Sequence, residues 1–258
     1  MKKLLFIAML FGLAFTAFAQ DEQQTADSQE KEKSAEKVKT GWNFGALPAV
    51  AFDADVGFRY GALANIYNYG DGSRYPKYDH SLYVEWSRTT KGSGNNMFTW
   101  DSDKLIPGIR SFIEASYLTE QALDFYGFNG YQVVYDAAIE SSTDVDGYRN
   151  RLFYRHSRKL LRLNADFQGE IIGQKFRWLA GVGFMGNNID AVDVAKLNEG
   201  KDPADQLSTN SLYTDYVNWG VIKADQANGG GHTILKGGLV YDTRDNEPNP
   251  FSGIWTEM

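Results

Sequence analysis

From Gly41 onward, apolar and polar residues alternate with a period of two. Arg162, Asn164, Asp166, Gln168 and Glu170 interleave with Leu163, Ala165, Phe167 and Gly169. Phe176, Trp178, Ala180, Val182 and Phe184 interleave with Arg177, Gly181 and Gly183. The same rhythm runs through Val56, Phe58, Tyr60, Ala62, Ala64 and Ile66, and through Leu82, Val84 and Trp86 against Ser81, Tyr83, Glu85 and Ser87. Alternate residues of a strand share a face, so each segment is β with one apolar and one polar side. The pattern predicts eight strands, over 43–52, 56–68, 77–90, 95–104, 109–119, 151–171, 176–186 and 232–242, and a ninth beginning near Ile254. A short helical turn is expected within 198–223.

The connections alternate in length. Leu105-Ile106-Pro107-Gly108 and Gly173-Gln174-Lys175 read as tight turns, and Lys91 to Asn96 as a hairpin loop. The stretches 120–150 and 187–231 are long, polar and rich in Gly, Asp and Asn. Alternation alone is shared by a soluble sandwich, whose apolar face is its core, and by a membrane barrel, whose apolar face meets lipid. Three features favour the barrel. Segments such as 152–171 exceed the usual soluble strand. Aromatics (Tyr67, Tyr69, Tyr75, Tyr78, Trp100, Tyr117) gather at segment ends, where interfacial girdles sit. Met1 to Gln20 reads as an export signal: Lys2 and Lys3, an apolar run from Leu4 to Phe15, and the small-x-small site Ala17-Phe18-Ala19.

The expected organisation is a signal peptide over 1–19, a disordered linker over 20–40 and an outer-membrane β-barrel domain over 41–258. The linker is polar and low in complexity, and composition changes sharply at Gly41-Trp42. The fold class is all-β, an antiparallel transmembrane barrel truncated to about eight strands plus the start of a ninth, hence an open curved sheet. Composition agrees: 15 Tyr, 16 Phe, 6 Trp and 26 Gly accompany a mean hydropathy of −0.43, since a barrel needs an apolar residue only at every second position. Without the signal, Lys+Arg falls from 26 to 24 against 33 Asp+Glu, a net charge of −9. So acidic a chain is a poor partner for nucleic acid. There is no cysteine, which excludes disulfides and a lipid-modified cysteine.

Near the end of the chain the sequence becomes more specific. Tyr241-Asp242-Thr243-Arg244-Asp245-Asn246-Glu247-Pro248-Asn249-Pro250-Phe251-Ser252-Gly253 resembles the periplasmic turn of the BamA/TamA-like outer-membrane assembly barrels, the bacterial surface antigen family. There an Asp-x-Arg-Asp-Asn run, a proline and a glycine join one strand to the next. Asp124-Phe125-Tyr126-Gly127-Phe128-Asn129-Gly130 is similar to a Phe-Tyr-Gly loop element of some members, and the sharp turn at Asp53-Ala54-Asp55 fits their strand plan. The likeness extends over 42–258 and implies the first half of such a barrel. It implies an outer-membrane location, membrane lipid as a partner, and client polypeptides or other outer-membrane proteins as further partners. It marks Asp242, Arg244, Asp245, Asn246, Pro250 and Gly253 as a structural turn motif. Two departures stand out: no client-receiving domains precede the barrel region, and family barrels close with more strands than this sequence supplies.

Independently of the family, Asp242 and Asp245 are suited to accept backbone N–H bonds in a tight turn, Arg244 to pair bidentately with a carboxylate, and Pro248 and Pro250 to end a ladder. No catalytic, cofactor-binding or metal residues are expected. His80, His156 and His232 lack ligand spacing. His156 and Ser157 are adjacent on a strand and face opposite ways, so one cannot activate the other. There is no Gly-x-Ser-x-Gly elbow, and Lys91-Gly92-Ser93-Gly94 lacks a phosphate-loop ending. Asp144-Val145-Asp146-Gly147 reads as an outer loop in preference to a calcium site. The functional expectation is a non-enzymatic outer-membrane protein with a role in protein assembly or translocation. The alternatives are a passive pore, a loop-based surface-binding protein, or a soluble exported glycan-binding sandwich.

Overall fold

The computed structural model of the chain describes residues 37–53, 56–128, 134–143, 146–245, 247 and 249–258. The expected signal peptide and most of the expected linker lie outside the described residues. Lys39–Met258 forms one compact unit. It is a single open antiparallel sheet of ten strands: β1 (Trp42–Pro48), β2 (Ala51–Asp53), β3 (Gly57–Asn68), β4 (His80–Thr89), β5 (Gly94–Ile106), β6 (Ile109–Asp124), β7 (Arg155–Ile172), β8 (Phe176–Asp190), β9 (Gly229–Asp242) and β10 (Trp255–Glu257). Strands pair in chain order, β2 sharing β3 with β1. Among the described residues, three short α-helices, α1 (Ala137–Glu140), α2 (Val194–Asn198) and α3 (Leu212–Asn218), and a 3-10 turn (Pro203–Asp205) lie in the long connections.

Three strand expectations are corrected. The first expected strand divides into β1 and β2. The strand breaks after Pro48 and resumes at Ala51 in unchanged register, with Pro48 opposite Ala62 and Ala51 opposite Arg59, and Ala49 N between them still donates to Gly61 O at 2.9 Å. The expected strand 151–171 starts only at Arg155. Residues 151–154 form a turn because Leu152, Phe153 and Tyr154 are drawn into a buried cluster. β6 runs beyond Thr119 to Asp124 through a register shift between Glu120 and Leu123.

All turns at one end of the sheet are 69–79, 107–108, 173–175 and 243–254; the other end carries 54–56, 90–93, 125–154 and 191–228. The two-residue turn after β5 follows from its residues. Pro107 presets the first corner, and Gly108, at φ 76°, takes the left-handed second corner of a type II arrangement. The hairpin between β4 and β5 is 90–93, and β5 starts at Gly94, one residue before the expected Asn95.

The sheet's two faces are inverted relative to a soluble fold. One face presents Phe44, Phe58, Tyr60, Val84, Trp86, Leu163, Val182, Phe184 and Leu235, all large and exposed, with Phe44 84% and Leu235 82% accessible. The register joins these into rows, such as Val84–Phe98–Ala115–Leu163–Phe184 across five strands. The other face carries Glu85, Asp101, Glu114, Arg162, Asn164, Asp166, Gln168, Arg177 and Lys236, and it is concave. Arg110 of β6 reaches Glu247, beyond β9, at 2.8 Å, so the sheet curls far enough to bring distant strands together around its polar side.

Apolar burial is concentrated in a cap at the long-loop end. Leu152, Phe153, Tyr154, Val192, Val194 and Tyr213 are buried there, and Phe125 sits edge-on to Phe128, His156, Tyr213 and Tyr216 at 5.3–5.7 Å. Asn150, fully buried, ties the two long connections together. Its Nδ2 donates to Ser208 O at 2.7 Å and its Oδ1 accepts from Leu152 N at 3.0 Å. Connections expected to be polar loops therefore pack around a core of their own.

Candidate functional site

The concave face is lined by paired charges. Across β4 and β5, Tyr83 Oη donates to Glu85 at 2.6 Å and Asn95 Nδ2 to the same carboxylate at 2.8 Å. Glu114 of β6 accepts from Arg162 and Asn164 of β7 at 3.4 and 3.2 Å. Arg158 donates to Glu120 at 2.6 Å, and Lys236 of β9 reaches over β8 to Asp166 of β7 at 2.8 Å. That reach explains the small residues on this side of β8. A Cβ on Gly181 would stand 2.1 Å from Asp166 Oδ1, so only glycine leaves room for the carboxylate.

Near the short-turn end this lining opens into a cavity of about 390 Å³, bounded among others by Asp101, Arg110, Phe112, Lys236, Trp255 and Glu257. Arg110 is its centre. Nε and Nη2 clasp Asp101 at 3.0 and 2.6 Å, and Nη1 holds both oxygens of Glu247 at 2.8 and 3.0 Å. Tyr78 donates to Asp101 at 2.8 Å. Charges of opposite sign are thus neutralised in place, which is how a polar interior is kept without an uncompensated ion.

The turn motif stands at the rim of this cavity. Arg244 Nε and Nη2 donate to the two oxygens of Asp242 at 2.9 and 2.8 Å, a bidentate pair, while its guanidinium lies 5.7 Å from the Trp255 ring centre. Asp242 Oδ1 also accepts from Arg244 N at 3.1 Å, and Arg177 approaches Asp242 at 3.3 Å. Asp245 Oδ1 accepts from Phe251 N and Ser252 N at 3.0 and 3.2 Å, pinning the far side of the turn. Gly253 has φ 102°, and a Cβ there would meet Thr243 O at 2.3 Å. The structure therefore brings Asp242, Arg244, Asp245 and Gly253 together. Pro250 lies outside any strand, and Asn246 and Pro248 lie outside the described residues.

Part of the expected aromatic girdle faces the other way. Tyr67 pairs with Asn43 and Ser81, on the concave face, and packs against Tyr69 and Tyr78 at 6.1 and 5.8 Å; Tyr69 meets Tyr75 at 5.2 Å. These tyrosines close the polar side at the short-turn end because Tyr78 needs the Asp101 acceptor. The outward aromatics at that end include Trp42 and Trp100, on either side of His80 at 6.1 and 6.0 Å, and Phe176, Trp178 and Tyr241 on β8 and β9. Tyr60, Trp86 and Tyr117 form the outward set at the long-loop end, in line with the outward placement expected of Trp100 and Tyr117. Tyr67 shares its parity along β3 with Asn65 and Arg59, the polar side of that strand.

Of the Phe-Tyr-Gly element, Phe125 is the hub of the cap core, and Gly127 (φ 92°) clears the Tyr216 hydroxyl. Asn129 and Gly130 lie outside the described residues, as do Ala54, Asp55 and the Asp144-Val145 pair of the calcium alternative. His156 is buried against Tyr213, while Ser157 Oγ turns the other way to donate to Asp190 O and Ala191 O, each at 3.2 Å. Tyr213 donates to Ala227 O, and burial, then the charge of Asp190, raises its phenol above the ordinary value. In loop 69–79, the Asp71 carboxyl is held below the usual range by hydrogen bonds from the Ser73 hydroxyl and N–H. Among the described residues, no three His, Asp or Glu side chains are grouped to hold a metal ion, and no helix is long and apolar enough to cross a membrane. In comparisons with known proteins, the chain matches no family model and no curated sequence.

Proposed function

We propose that this chain is an integral outer-membrane β-barrel protein of the bacterial surface antigen type, and not an enzyme. The observation that carries the reading is the inversion of the sheet, with apolar rows exposed and charges gathered and paired on the concave side. In water, an exposed apolar surface spanning so many strands would drive association. In lipid it is the required exterior. The part played in outer-membrane protein assembly or translocation rests on the resemblance of the 241–253 turn, whose Asp242–Arg244 clasp and Gly253 corner give that motif a physical purpose.

The test uses adjacent residues of β7. Ala165 faces outward between Ile113 and Val182, whereas Asn164 faces inward and donates to Glu114. Ala165→Arg is expected to impair insertion into lipid vesicles by about 2–4 kcal/mol near the bilayer midplane, and Asn164→Arg to be mild. Equal effects at both positions would count against the barrel.

A second reading, a surface-binding protein acting through its loops, is favoured by the cap. The described parts of its long connections pack around Asn150 and Phe125, and loops held on a rigid scaffold are the usual makers of binding surfaces. Deleting the cap would abolish ligand capture on that reading and leave vesicle insertion intact.

A further inference from the structure

The outward face carries few charges on its strands, and two of them are cations in one cross-sheet row. Arg88 of β4 lies opposite Gly94, Gly94 opposite Thr119, and Thr119 opposite Lys159 of β7. The adjoining row toward the short-turn end is Trp86, Asn96, Tyr117 and Leu161. Tyr60, paired with Arg88, meets Trp86 edge-on at 5.9 Å. Cations just beyond an aromatic row mark the level of lipid headgroups.

Three details set these two apart from ordinary interfacial cations. No carboxylate stands between them in the row, and none of the ion pairs among the described residues uses either. Arg88 does not point away into solvent. A Cβ on Gly94 would stand 2.0 Å from its Nη1, so the side chain lies across β5 toward Lys159. Nη1 is buried there without a hydrogen-bond partner. With strands roughly 4.8 Å apart, the lean shortens a backbone separation of about 14 Å between two like charges. An anion between the two cations would relieve their repulsion.

We propose that Arg88 and Lys159 together bind the phosphate of a membrane lipid in the leaflet on the long-loop side. This rests on the membrane-barrel reading. The guanidinium offers donors to phosphate oxygens and the ammonium a point charge, and the phosphate would lie between them over Thr119.

The test is native mass spectrometry of the full chain folded in detergent, with bisphosphorylated lipid A, dephosphorylated lipid A and phosphatidylglycerol as probes. Wild type should retain the phosphorylated probe, and Arg88→Gln with Lys159→Gln should lower that retention roughly 30-fold. Lys196→Gln, an exposed cation in α2, should leave it unchanged. Preference for lipid A identifies an outer-leaflet glycolipid, and equal retention of phosphatidylglycerol identifies any anionic phospholipid; both support the site. Equal retention of bisphosphorylated and dephosphorylated lipid A, or equal retention by the double variant and wild type, overturns it. Heat-modifiable migration of the same samples separates the two failures. If wild type does not insert at all, the barrel reading falls; if both proteins insert and retain lipid alike, only the phosphate site falls.

Discussion

Single residues decide geometry where backbone passes backbone. Gly253 takes a left-handed conformation within van der Waals reach of Thr243 O and Arg244 Cα, so its lack of a side chain is what lets the chain enter β10. Gly253→Ala is expected to destabilise the protein by about 1–3 kcal/mol through strain and collision. Gly45→Ala, with nothing within 4 Å of its Cβ, should be close to neutral. Urea midpoints of the detergent-folded variants would make the comparison, and equal midpoints would remove Gly253 from the turn's determinants. At this scale the sequence is legible. Asp242, Arg244 and Asp245 carry donors and acceptors that match a tight turn, and each makes the kind of bond its chemistry suits. Glu247 is the exception, because its partner Arg110 is remote along the chain and nothing local announces it.

At the scale of elements, the cap and the sheet are stabilised differently. The sheet holds by its ladders and polar pairs, and the cap by aromatic burial. Phe153 is buried in the cap, its carbonyl accepting from Leu212 N at 2.8 Å and its ring beneath Arg149. Phe153→Ala is expected to cost the cap about 3–5 kcal/mol and to open it locally without unfolding the strands. Limited proteolysis should then cut within 125–154 or 191–228 while the protected strands remain, and global unfolding would refute the division. The cap also carries a pH dependence. The Tyr213 phenol is raised in the folded state, so its contribution is fully present below the unfolded value of about 10 and is lost as pH rises through the folded value. Phenolate absorbance should show Tyr213 ionising above the ordinary tyrosine range, with protease sensitivity of the cap rising alongside, and Tyr213→Phe should remove one tyrosine's share of that late amplitude.

At the scale of the whole molecule, the question is what bends the sheet. Arg110 and Glu247 join its two sides, but the Glu247 side chain is half exposed, and exposed pairs contribute little. Glu247→Gln is therefore expected to shift stability by less than about 1 kcal/mol, measured by urea unfolding in detergent. A larger loss would mean that the ion pair, and not strand twist, sets the curl. Twist is intrinsic to every strand and accumulates across ten of them. The bend is consequently a property of the assembled sheet.

The sequence by itself determined the strands and their two faces, because alternation is a local property that any β-strand must express. Leu163, Ala165 and Phe167 on one side, and Asn164, Asp166 and Gln168 on the other, needed no tertiary information. The tertiary structure decided which face is concave, since period-two patterns are the same for a core-facing and an outward-facing row. It also decided that Tyr67 and Tyr78 close the polar side, because the acceptor that draws Tyr78 inward, Asp101, belongs to another strand. Finally, it decided that Leu152, Phe153 and Tyr154 leave the strand pattern for the cap. Their apolar run fits a strand equally well, and only the arrival of Ser208 and Leu212 from a distant loop, bonded to Asn150 and to Phe153 O, draws them into the cap.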